Sequence, residues 1–205
     1  MRRFTLLPSF ALLLSACVSP QRKTPAPVFP LKLTGPVAIR MMDVRPDVEK
    51  GEVRDPHWIY FRASGTEQAD LLVNYLGNAL AAMNAATGYL AIGPDAPNSV
   101  ARVVIDIEYQ KGYARWPVDV NQRGNEIAVE GATRIRYAIY VDGERVRQGI
   151  MKEAPSDFRV PVGIIRESNV RQVVSDALAY QFDKATTDLL DEFLWRVADA
   201  WPKTL

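Results

Sequence analysis

The stretch "TRIRYAIYVDGERVRQGI", residues 133–150, decides the fold. Thr133, Ile135, Tyr137, Ile139 and Val141 recur at every second position, the period of a strand with one buried face. Asp142-Gly143 then gives a tight-turn dipeptide, and Val146, Gln148 and Ile150 resume the alternation beyond it. With Ile127 and Val129 opening the run, residues 127–153 read as an antiparallel hairpin.

Working outward, "ARVVIDIEY" (101–109) is a further strand, with Val103, Ile105, Ile107 and Tyr109 on one face. Residues Gln110 to Glu126 carry Gly, Pro and polar residues and read as a connection. Val37, Ile39 and Met41 predict an earlier strand, followed by a charged loop from Asp43 to Pro56. His57 to Phe61 reads as a short strand or an apolar loop on the core. Ser64-Gly65-Thr66-Glu67 fits a capping box. Behind it, Leu72, Tyr75, Leu76, Ala79, Leu80 and Met83 predict a helix of about twenty residues ending near Gly88. Tyr89, Leu90 and Ile92 suggest one more short strand.

At the other end, Val170, Val173, Val174, Ala177, Leu178, Phe182, Ala185, Leu189, Phe193 and Val197 form a helical stripe. Asn169 or Ser168 is its candidate N-cap, and Pro202 ends it. About thirty residues exceed the usual helix length, which leaves room for a kink near 183–187. The expected order is β-α-β-β-β-β-α. That order predicts an α+β fold: a two-layer sandwich, mostly antiparallel sheet, with the helices on one face.

Composition sets bounds on chemistry. The chain has 205 residues, 24% charged and 48% hydrophobic, which suits one globular domain. A formal net charge of +1 offers no basic field for nucleic acid. The single cysteine, Cys17, excludes an internal disulfide, and the single histidine, His57, excludes a His-pair metal site. No catalytic metal or cofactor is therefore expected.

The N-terminus reads as a targeting segment. Arg2 and Arg3 precede an apolar run from Phe4 to Leu14, and small residues Ser15 and Ala16 lead into Cys17. The run is shorter than the roughly 20 residues that a spanning helix needs. Leu14-Ser15-Ala16-Cys17 resembles the bacterial lipobox. The resemblance implies cleavage before Cys17, diacylglycerol on its thiol and an acyl chain on its new amine. Val18 stands where an Asp would favour retention in the inner membrane, so the expected address is the outer membrane, facing the periplasm. Residues 1–16 are then a signal peptide, 17–35 a lipidated, Pro-rich tether, and 36–200 one domain. Five prolines between Val18 and Pro36 favour extended polyproline II. At about 3.1 Å per residue, Val18 to Pro30 would reach roughly 40 Å from the lipid.

No enzyme is expected in the body of the chain. Cys17 is committed to lipid, and His57 lies in a loop without a motif around it. No nucleotide-binding glycine loop or nucleophile elbow occurs. Asp106 and Glu108 share a strand face, but charged outward residues are what a one-sided sheet requires. Trp195 reads as core beside Phe193 and Leu194, and Trp58, Tyr60 and Phe61 as closing the sheet edge. Tyr113, Arg115, Trp116 and Arg123 combine aromatic and guanidinium groups in the 110–126 connection and are the candidate partner contacts.

These features together resemble the YajG-like family of bacterial lipoproteins. The carriers are the lipobox at Cys17, "VAIRMMDVRP" with Asp43 and Arg45, nearby Gly51, the capped helix leading into "TGYLAI", "ARVVIDIEY", Asp142-Gly143, and Ser175-Asp176-Ala177-Leu178. The 110–126 connection and the C-terminal tail are longer than the family's. The resemblance implies an outer-membrane lipoprotein without enzymatic residues. The expectation is a membrane-anchored, non-catalytic envelope module that binds a protein partner. Alternatives are a glycan-binding or weakly glycan-acting cell-wall protein and an auxiliary lipoprotein of lipid transport.

Overall fold

The computed structural model describes residues 25–60, 65–117, 126–152, 156–161 and 170–204. The signal peptide, Cys17, Arg123 and the residues read as caps at Ser64, Ser168 and Asn169 lie outside them. The described elements run β1 (Val37–Asp43), β2 (Trp58–Tyr60), α1 (Gly65–Ala82), β3 (Tyr89–Ile92), β4 (Val103–Pro117), β5 (Glu126–Val141), β6 (Glu144–Lys152), β7 (Ser156–Pro161) and α2 (Val170–Ala200).

The strands build one sheet in the order β3-β1-β4-β5-β6, with β2 added to β4 and β7 to β5. Strand β1 is parallel to β3 and β4, and every other pair is antiparallel. Both helices feed one apolar cluster: Leu72, Leu76 and Leu80 of α1, Leu189, Phe193 and Val197 of α2, and Ile39, Ile105, Ile107, Ile135 and Ile139 of the sheet. Each such side chain contributes about 1.5–3 kcal/mol by leaving water. The fold is thus the expected α+β sandwich with helices on one face. Among the described residues no helix is long and apolar enough to cross a membrane.

Local chemistry explains the boundaries. Asp142 (φ 53) and Gly143 (φ 86) are both left-handed, as a two-residue hairpin turn requires. Helix α1 stops before Gly88 because Asn84 takes a left-handed φ of 57. The Ala85 amide then reaches back to the Leu80 carbonyl at 2.9 Å, and Asn84 to Ala81 at 3.0 Å, the double bond of a Schellman end. Helix α2 is continuous from Val170 to Ala200, with no break at 183–187. Its buried Phe182, Ala185, Leu189 and Phe193 keep one face on the sheet throughout.

The strands after Tyr109 depart from the sequence reading. Residues 110–117, expected as connection, continue β4 through a β-bulge between Tyr109 and Lys111. The extra residue shifts the pattern from odd to even positions, so Gly112 and Ala114 are the buried ones. Strand β7 was not foreseen. It pairs with residues 126–131 of β5. The paired β4 and β5 therefore form a long ribbon whose near half lies between β1 and β6 and whose far half lies between β2 and β7.

Residues 29–33, read as tether, pack on the domain. Leu33 is buried and its amide donates to the Ala85 carbonyl at 2.8 Å. Trp201 donates its indole N–H to the Leu31 carbonyl at 2.8 Å and meets the Phe29 ring edge-on at 4.9 Å.

Candidate functional site

Among the described residues, three polar assemblies hold the sheet, and the third presents aromatic rings at the surface.

The first sits at the bulge. Arg45, with a fully buried side chain, donates Nε to Asp43 Oδ1 at 2.9 Å and Nη2 to Oδ2 at 2.7 Å. Its Nη1 reaches the Gly112 carbonyl at 3.2 Å, and its guanidinium lies 4.7 Å over the Tyr109 ring. Glu49 completes the set by accepting the Gly112 amide at 3.1 Å. Strand β1 ends opposite Tyr109 and β2 begins opposite Arg115, so Gly112 has no strand neighbour on that side, and the loop from Asp43 to Glu52 satisfies both of its backbone groups. A side chain at Gly112 has no room, since a Cβ there would lie 1.9 Å from the Tyr109 hydroxyl. That hydroxyl is buried without a hydrogen-bond partner of acceptable geometry among the described residues, as is the Thr186 hydroxyl. Burial pushes the Tyr109 phenol up to about 12, so it stays neutral.

Burial also raises the pKa of Glu49 above the usual carboxylate value, against the opposing Gly112 amide, Lys111, Arg45 and Arg115. A carboxylate with a raised folded pKa binds its proton more tightly when folded. Its stabilising contribution is therefore full at low pH and declines as pH rises through the folded pKa. Glu49→Gln keeps the acceptor for Gly112 but cannot ionise. Its stability relative to wild type is expected to increase between about pH 4 and pH 7 in urea unfolding. A difference that stays constant or shrinks over that range would remove the account.

The second assembly closes the helix-free face near β3. Arg40 pairs with Asp106 at 2.9 Å and caps the carbonyls of Pro94 at 2.9 Å and Ala96 at 2.6 Å. It also donates to Asn98. Asp106, weighed above as a catalytic carboxylate, is thus a partner of Arg40, and Glu108 pairs with Arg136 at 3.3 Å.

The third lies at the far end of the ribbon. Register sets Tyr60 beside Arg115 and Arg115 beside Glu130, so all three share one face with Trp58 and Tyr113. Arg115 stacks 3.8 Å over the Trp58 ring and 4.9 Å from that of Tyr113. Its Nε and Nη2 each meet Glu130 Oε2 at 2.9 Å, and Nη1 reaches the Tyr60 hydroxyl at 3.3 Å. The rings of Tyr60 and Tyr113 meet edge-on at 6.2 Å. The guanidinium is 26% exposed and the three rings are part-exposed, so the cluster is an ordered aromatic surface with a fixed cation inside it.

Of the residues singled out in the sequence, Tyr113 and Arg115 meet in this cluster. Trp116 lies on β4, and alternation turns it to the opposite face, beside Ala114. Cys17 and Arg123 lie outside the described residues. Trp58, Tyr60 and Glu130 were not assigned to this surface. The signal available was the period-2 spacing of Trp58 and Tyr60, but their partner strand was hidden behind the unforeseen bulge. Trp195, expected in the core, is 36% exposed. Among the described residues no group of three His, Cys, Asp or Glu could hold a metal ion.

No protein-family model matches the chain, and no curated protein matches it. Similar solved structures include XCC0632 of family DUF330 from Xanthomonas campestris. It is 12% identical, with a TM-score of 0.48 over 86% of this chain and 93% of that one. The PelC dodecamer from Paraburkholderia phytofirmans is 12% identical, with a TM-score of 0.40 over 85% and 94%. A protein described as a neuraminyllactose-binding hemagglutinin homologue from Helicobacter pylori is 9% identical, with a TM-score of 0.32 over 84% and 97%. All three are bacterial proteins, and no residue role is carried across from them.

Proposed function

We propose that the chain is a lipid-anchored lipoprotein of the bacterial outer membrane, akin to the YajG-like family. On this reading it faces the periplasm and docks an envelope protein without catalysing a reaction. The observation that carries the docking role is the part-exposed cluster of Trp58, Tyr60 and Tyr113 around Arg115. Trp, Tyr and Arg dominate the energetics of protein interfaces because they combine large apolar area with polar reach. Here their geometry is already set by β2, β4 and Glu130, which lowers the ordering cost of binding.

The test is cross-linking of the full chain in intact cells, followed by identification of the captured protein. Trp58→Ala is expected to lower the yield of the specific adduct about tenfold, as the loss of one central aromatic contact would. Trp116→Ala, on the other face, should leave it unchanged. An adduct indifferent to Trp58, or lost equally in both variants, removes this surface from the reading.

A further inference from the structure

Resting on that docking reading, we propose that a row of three cations beside the aromatic cluster, Lys111, Arg134 and Lys152, binds an acidic segment of the partner protein.

Register places the row directly across three strands. Lys111 of β4 is opposite Arg134 of β5, and Arg134 is opposite Lys152 of β6. Alternation puts all three on the helix-free face, because Ile135 and Met151 beside them are buried under the helices. Neighbouring strands lie about 4.8 Å apart, so the row spans about 10 Å. Like charges directly opposite destabilise a sheet. Three other cations on this face do have carboxylate partners: Arg40 with Asp106, Arg136 with Glu108, and Arg115 with Glu130.

Among the described residues, no ion pair joins Lys111, Arg134 or Lys152 to a carboxylate. Glu49 acts on Lys111 at longer range, but its carboxylate is occupied by the Gly112 amide. The Nε of Arg134 is itself buried, so only the part-exposed remainder of its guanidinium can meet a partner. Among the described residues, three neighbouring cations without an ion-pair partner form a surface suited to oxygens that carry negative charge.

The surroundings favour a protein over a lipid headgroup. Tyr113 follows Lys111 by two residues on the same face, so the row runs into the aromatic cluster, and Ile150 stands exposed beside Lys152. The row also lies at mid-ribbon, whereas the chain leaves toward its N-terminus beside Trp201 at the other end of the sheet.

The test uses the full chain in detergent and a fluorescein-labelled hexaglutamate peptide, followed by fluorescence anisotropy. Wild type is expected to bind saturably at low ionic strength and to release the peptide as salt is added. The double variant Lys111→Gln, Lys152→Gln should bind about tenfold more weakly. Without peptide it should melt at the same temperature as wild type or higher. The charge-matched control Lys32→Gln, Lys203→Gln should bind like wild type. Equal binding by the first double variant, or equal loss in the control, overturns the proposal. So does tighter binding of inorganic pyrophosphate, or of phosphatidylglycerol vesicles, through the same lysines. A photo-cross-linking residue replacing the exposed His57, which leaves Trp58 and its cluster intact, separates this from the docking reading. If it captures the same protein in the double variant as in wild type, docking stands and the cation row falls. If it captures none in either, the docking reading fails and this inference fails with it.

Discussion

Arg45→Ala is expected to remove about 3–5 kcal/mol of stability, the range for breaking one side of a buried ion pair. The guanidinium is wholly buried and neutralises Asp43 through two bonds. It also holds the Gly112 carbonyl in the gap between β1 and β2. Alanine would leave the Asp43 carboxylate without its cation and the Tyr109 ring without its cover. Urea unfolding monitored by circular dichroism measures the loss directly. Arg45→Lys should recover little of it, because an ammonium cannot serve two carboxylate oxygens and a carbonyl in fixed planar geometry. A loss below about 1 kcal/mol, the scale of an exposed ion pair, would show that the assembly does not hold the bulge.

Cys17→Ser is expected to move the chain from the membrane fraction to the soluble fraction, or to leave it unprocessed. Each buried CH₂ contributes about 0.8 kcal/mol, so one acyl chain holds marginally whereas two or more hold stably. The serine variant has no thiol for diacylglycerol, and cleavage that depends on that modification should stop. Membrane fractionation with intact-mass measurement reads both effects. A processed serine variant that still sediments with membranes would refute the anchor, whatever the folded domain binds.

The sequence was most legible where one period ran without interruption. Ile135, Tyr137 and Ile139 announced β5, Asp142-Gly143 its turn, and Phe182 to Val197 the buried stripe of α2. Alternation failed at the bulge. There Gly112 and Ala114 carry too little side chain to signal burial, and charged Lys111 and Arg115 flank them. The continuation of β4 depends instead on Arg45 and Glu49, more than sixty positions earlier in the chain. Local periodicity cannot report a strand whose backbone is satisfied from so far away. The aromatic cluster shared that fate: Tyr113 and Arg115 were visible as a pair of favoured types, but Trp58 and Tyr60 join them only through the β2–β4 register.

Strand β1 begins on the side from which the chain runs back toward its N-terminus, and β4 ends beside the aromatic cluster. The two are parallel neighbours from Ala38 opposite Val104 to Asp43 opposite Tyr109. On the proposed reading, a pull between a lipid on Cys17 and a partner at the cluster would act along the strands, in shear. The inter-strand bonds of that register share such a load together; a pull across the strands would open them one after another. The Phe29 and Leu31 contacts with Trp201 stand ahead of β1 on the same line of force. On that path the Phe29 ring, the Leu31 carbonyl and the Leu33 amide would part from Trp201 and Ala85 before any strand of the sheet is loaded.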